Sequence, residues 1–150
     1  MHVSLSLLGS LTALAVGAGA NGAEASADGA VVKRVIRAAG EGGNLLKDGA
    51  WGPWQKGFRR EGEAFVCDNG TDGKVQRGAS QTVVLDQKRP EPIVAAAWSK
   101  AEGVGGSAGS DYSLYLDLLY ADGTPLWGQT APFDVGTHDW QRREVLVFPT

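Results

Sequence analysis

The sequence holds one cysteine, one methionine and two histidines in 150 residues. Cys67 alone cannot close an intrachain disulfide. Lying in the apolar run Ala64-Phe65-Val66-Cys67, it reads as a buried, inert thiol rather than a nucleophile. With His138, His2 and Cys67 as the only nitrogen and sulfur ligands, a zinc site would need carboxylates for the rest of its ligand set, a poor match to zinc. A basic stripe is also missing: the formal net charge is −3. Lys56-Gly57-Phe58-Arg59-Arg60 is short and followed by Glu61 and Glu63, so it reads as solvated surface and no nucleic-acid partner is expected. No Gly-x-Ser-x-Gly elbow occurs, and no stretch of ten residues carries a helical apolar period with caps.

Long apolar runs are confined to the N-terminus. Met1 to Ala20 has no Lys, Arg, Asp or Glu, Val3 to Val16 is largely apolar, and Ala18-Gly19-Ala20 fits a small-residue cleavage site. The segment reads as a signal peptide ending near Ala20, although Met1-His2 lacks the usual basic residue. A disordered or membrane-anchoring N-terminus is the alternative; Gly17, Gly19 and Gly22 weigh against a spanning helix. Cleavage leaves 130 residues, a single His138 and no membrane partner, and places the chain outside the cytoplasm: secreted, periplasmic or at the cell surface.

Glycine is abundant, at 22 residues, without a third-residue period. It separates short apolar runs, as turns of positive φ require. Asn21 to Ala30 reads as a flexible lead-in, and Val31 to Arg37 as a possible first strand. Asn44-Leu45-Leu46 reads as a short strand before a Lys47-Asp48-Gly49 turn. Gly and Pro bar Trp51-Gly52-Pro53-Trp54 from a helix or a central strand. Strands are expected over 63–67, 80–85, 93–99, 112–120, 125–130 and 143–148, the spacing of an all-β sandwich or barrel. The chain stops directly after a strand, so a C-terminally incomplete domain of a longer polypeptide is expected.

Tyr120-Ala121-Asp122-Gly123-Thr124 predicts a hairpin with a two-residue type I′ loop at Asp-Gly. That loop pairs Leu118 with Trp127, Asp117 with Gly128 and Tyr115 with Thr130. Alternation then sends Tyr112, Leu114, Leu116, Leu118, Tyr120 and Trp127 to the core, and Tyr115, Asp117, Leu119, Leu126, Gly128 and Thr130 outward. A bulge after Gly123 would move Trp127 to the other face. Trp98 and Trp140 also read as core.

From Asn44 onward the pattern resembles the galactose-binding-like jelly-roll carbohydrate-binding modules appended to secreted glycoside hydrolases and polysaccharide lyases. The matching residues are Asn44-Leu45-Leu46, Ser80 to Leu85, Trp98-Ser99-Lys100-Ala101-Glu102, Asp111 to Tyr115, Asp122-Gly123-Thr124, Gly136-Thr137-His138-Asp139-Trp140-Gln141 and Val145 to Phe148. Gly49-Ala50-Trp51 departs from the family's glycine, aromatic and acid, and the family's closing strands are absent. The resemblance implies a jelly-roll β-sandwich over 44–150. It allows a structural calcium, whose ligands cannot be assigned here because they come from both ends of the fold.

Several residues suit a sugar. Tyr115 and Asp117 offer an aromatic plate beside a carboxylate, with Gly128 leaving room next to them; they could equally be ordinary outer-face residues. Trp51 and Trp54 could stack on sugar rings or plug one end of the sandwich. His138 and Asp139, adjacent on an extended chain, would face opposite ways and form no relay by themselves. Asp68, Asn69 and Asp72 read as a turn, lacking the spacing of a calcium hand, and Asn69-Gly70-Thr71 is a glycosylation sequon. Glu102, Asp111, Asp117 and Asp139 supply carboxylates, but no spacing singles out a glycosidase pair. The expectation is therefore a non-catalytic carbohydrate-binding or accessory domain without cofactor, binding polysaccharide or oligosaccharide by stacking and hydrogen bonds. Two alternatives stand beside it: the N-terminal part of a polysaccharide-active enzyme whose catalytic residues lie beyond Thr150, and a structural or adhesion sandwich that binds no glycan.

Overall fold

The structure, a computed structural model, describes residues 2–8, 11–12 and 44–150. The expected strand over Val31 to Arg37 and the lead-in before it lie outside the described residues. The described chain is almost entirely β: ten strands and a single 3₁₀ turn at Asp48–Ala50. The strands are β1 (His2–Leu8), β2 (Leu11–Thr12), β3 (Gly52–Gln55), β4 (Arg59–Glu61), β5 (Ala64–Val66), β6 (Arg77–Val84), β7 (Ile93–Val104), β8 (Ser113–Leu119), β9 (Pro125–Pro132) and β10 (Gly136–Val147). They form two five-stranded sheets, ordered β3-β6-β1-β8-β9 and β10-β7-β2-β5-β4. Every pairing is antiparallel.

One core joins the sheets, giving the molecule a sandwich-like character. The first sheet contributes Ala79, Leu114, Leu116 and Leu118; the second contributes Phe65, Ala97, Ala101, Val145 and Val147. Alternation explains β8: its even-numbered leucines are buried, and Tyr115, Asp117 and Leu119 between them are half-exposed. The inner face of β7 carries the small residues Ala95, Ala97, Ser99 and Ala101, leaving room for the rings of Phe65, Tyr112 and Phe133. Gln81, buried on β6, donates to the Lys47 carbonyl at 2.9 Å and accepts from the Lys47 N–H at 2.8 Å. This double bond clamps the segment ahead of β3 and lets Leu46 and Trp51 pack on the core.

Residues 1–20, which read as a leader, supply strands in the intact chain. β1 pairs with β6 over seven residues and with β8 over six, and β2 lies between β5 and β7. A mature chain that had lost these residues would have neither strand.

Several strand limits differ from the sequence reading. Asn44 to Leu46 is irregular rather than a strand. Arg59–Glu61, read as plain surface, is an edge strand with all three residues exposed. β10 begins at Gly136 instead of Arg143, because the polar stretch continues the ladder through two register shifts. β3 is an edge strand, in keeping with its glycine and proline. After it the chain turns at Gly57, whose φ is +69° and where a Cβ would stand 2.8 Å from the Pro53 Cβ.

Candidate functional site

The β8–β9 hairpin builds the site. Its loop has three residues: the Tyr120 N–H donates to the Thr124 carbonyl at 2.8 Å, and the Gly123 N–H to the Tyr120 carbonyl at 3.0 Å. Gly123 takes φ +87°, while Asp122 stays at negative φ and accepts the Thr124 N–H at 2.8 Å. The two-residue type I′ loop is therefore corrected to a turn closed by one left-handed glycine. The Thr124 N–H and hydroxyl hold the Asp122 carboxyl below its ordinary range.

The extra loop residue shifts the register by one, so Leu118 pairs with Leu126 instead of Trp127. A bulge then shifts it back. Trp127 and Gly128 together oppose Asp117, and Tyr115 meets Thr130 as expected. Asp117 Oδ1 accepts the Gly128 N–H at 2.8 Å, which satisfies the amide the bulge takes out of the ladder. Gly128 sits at φ +73°, and a Cβ there would lie 3.6 Å from the Tyr115 hydroxyl.

Trp127 is thus corrected from core to surface, at 56 % exposure, while Leu126 packs on the core. Trp98 and Trp140 are corrected likewise, at 38 % and 43 %. Trp98 shares a strand face with Lys100 and Glu102, opposite the small inward residues of β7. Trp140 lies within the second register shift of β10, between His138 and Gln141.

The predicted site residues divide. Tyr115 and Asp117 point away from the core on the first sheet. Trp54, half-buried like Trp51, lies on the same outer face, because its register partner Gly78, itself covered, alternates with the inward Ala79 and Gln81. Trp127 joins them, and Ser80 and Thr82 of β6 lie between. Trp51 does not belong: half-buried, its ring packs 5.0 Å from that of Phe65. The signal for Trp127 was the second glycine, Gly128, five residues after the turn, since an isolated glycine inside a strand marks a bulge.

A second polar group closes one end of the core. The Ser99 and Tyr112 hydroxyls lie 2.6 Å apart, and the Tyr112 hydroxyl 3.4 Å from His138 Nε2. His138 Nδ1 is 2.7 Å from the Asp139 carbonyl, which only accepts, so Nδ1 donates there. The Asp139 carboxylate turns away to Lys100 at 3.4 Å. That ammonium and the Trp140 N–H, the N–H foremost, hold it below the ordinary carboxylate range. Ser99 is completely buried and His138 partly exposed, so this chain of groups runs from the interior towards the surface. Cys67, expected to be buried, is half-exposed, its Sγ 3.9 Å from the Gly57 carbonyl.

Among the described residues, no group of three or more His, Cys, Asp or Glu is placed to hold a metal ion. No described helix is long and apolar enough to cross a membrane. No protein-family model matches the chain, and no curated protein or solved structure matches it either.

Proposed function

We propose that this chain is a non-catalytic carbohydrate-binding domain of a secreted protein, and that it binds polysaccharide on the outer face of the β3-β6-β1-β8-β9 sheet. One observation carries the reading: a bulge holds Trp127, more than half exposed, on the same face as Tyr115 and Asp117. An indole in water is costly without a partner and suits the apolar face of a sugar ring, while phenol and carboxylate suit its hydroxyls. The two antiparallel sheets around one core support the jelly-roll resemblance, and the leader-like composition of Met1 to Ala20 supports export.

Co-sedimentation with insoluble polysaccharides tests the site. Trp127→Ala and Tyr115→Ala are expected to abolish retention with unchanged melting curves. Trp140→Ala, a comparably exposed indole on the other sheet, serves as the control and is expected to retain binding. The exposure of Trp98 and Trp140 favours a second reading, in which the other sheet packs against a further domain. Loss of retention on Trp140→Ala but not on Trp127→Ala would transfer the role to that face.

A further inference from the structure

We infer that the ligand is an electrically neutral polysaccharide segment several sugars long, laid across the strands from Trp54 to Trp127; this rests on the glycan-binding reading above. Trp54 stands on β3 and Trp127 on β9, the two edges of the five-stranded sheet. Four inter-strand steps, about 19 Å, separate their strands, and the registers offset them by about 13 Å along the strands as well, Trp54 being level with Leu8 of β1 and Trp127 with Ser4, so the path is diagonal and far longer than one sugar ring. Tyr115 and Asp117 lie on β8, one strand in from Trp127. Between the aromatic edges β6 presents Gly78, Ser80, Thr82 and Val84 on this face and β8 presents Tyr115, with a Cβ at Gly128 lying 3.6 Å from its hydroxyl. A sugar chain crossing from one indole to the other meets the small hydroxyls of Ser80 and Thr82 and the Tyr115 phenol on the way.

Charge sets the class. Among the described side chains that β3, β6, β8 and β9 put on this face, Asp117 is the only charged one, and none is Lys or Arg. Its Oδ1 is engaged by the Gly128 N–H, which leaves Oδ2 to accept from a sugar hydroxyl. A polyuronate or a sulfated chain would bring anions against this carboxylate with no cation to offset them. A polymer of neutral sugars meets no such penalty.

Affinity electrophoresis of the full chain tests this, through gels containing a neutral glucan, xylan or mannan, or polygalacturonate or a sulfated galactan, at one ionic strength. Retardation by a neutral polymer and none by the acidic ones is expected. Trp54→Ala and Trp127→Ala should each weaken the neutral binding at least about tenfold, or about 1.4 kcal/mol. Asp117→Asn, which removes the one carboxylate that these strands put on the face, should gain retardation by polygalacturonate relative to the unsubstituted chain. Equal or stronger retardation by an acidic polymer would overturn the charge argument, and unchanged retardation of Trp54→Ala would overturn the edge-to-edge path, the glycan reading surviving in both cases. Retardation by no polymer at all would sink the glycan reading together with this one.

Discussion

Tyr112 shows how one residue couples packing to titration. It is almost wholly buried, with its ring 5.3 Å from that of Phe133 and 6.0 Å from that of His138. Burial pushes its phenol above the ordinary value, and the Ser99 hydroxyl bond only partly opposes this. The folded state then keeps the proton at a pH where the unfolded chain releases it. The contribution is complete below about pH 10 and is lost as pH rises through the higher folded value. Tyr112→Phe is expected to flatten the alkaline fall in stability. At neutral pH it should cost about 1–2 kcal/mol, because Ser99 loses its 2.6 Å partner. Urea unfolding of both proteins at neutral pH and above pH 10 measures the two effects; parallel curves would show that another group causes the alkaline loss. Tyr112's burial was legible in the sequence from its alternation with Leu114, Leu116 and Leu118. Its contact with His138 was not, because 26 residues separate them and Tyr112 lies just ahead of β8 in one sheet while His138 lies on β10 in the other.

At the scale of elements, the hairpin depends on two irregularities that cancel, a longer loop and a bulge. Gly128→Ala is expected to cost about 1–2 kcal/mol, because an L residue pays roughly that at positive φ. The added methyl meets the Tyr115 hydroxyl at an ordinary contact distance, so the loss should come from the backbone and not from a clash. A thermal melt of Gly128→Ala beside Gly52→Ala, where φ is negative and a Cβ would meet only the Ser80 carbonyl oxygen at 4.0 Å, separates the causes; equal losses would remove the φ argument. Sequence alternation placed the β8 leucines correctly because one face of that strand is fully buried. It failed for Trp127, Trp98 and Trp140, where size suggested core and local register decided otherwise. For Trp98 the correction is visible in its neighbours: four small residues alternate with it on β7, and a sheet packed about 10 Å from its partner places the small set inward. β4 and the first half of β10 escaped detection because their side chains are mostly polar, and only backbone pairing makes them strands. Of the proposed site, the outward placing of Tyr115 and Asp117 follows from the alternation of β8, Trp54 stands in a Gly- and Pro-containing segment where alternation gives no face, and Trp127 is signalled only by the glycine beside it.

At the scale of the whole molecule, the first twelve residues occupy the third position of five in both sheets. β6 and β8 share no ladder with each other, and neither do β5 and β7; each pair is joined through an N-terminal strand. Removing residues 1–12 divides each sheet into two two-stranded pairs and opens edges on β6 and β8, the strands that carry Ser80, Thr82 and Tyr115 of the proposed glycan face. Isolated hairpins of that kind are marginal in water. A chain expressed without residues 1–12 is therefore expected to lose its cooperative thermal transition and to bind a hydrophobic dye. Adding a synthetic peptide of residues 1–12 should restore the transition by strand addition. Determining the N-terminus of the exported chain decides between the two roles of this segment. A chain beginning at Met1 keeps both middle strands. A chain beginning at Asn21 that still melts cooperatively would show that another strand has taken the place between β6 and β8. A truncated chain that melts like the intact one would show that these strands do not hold the sandwich together.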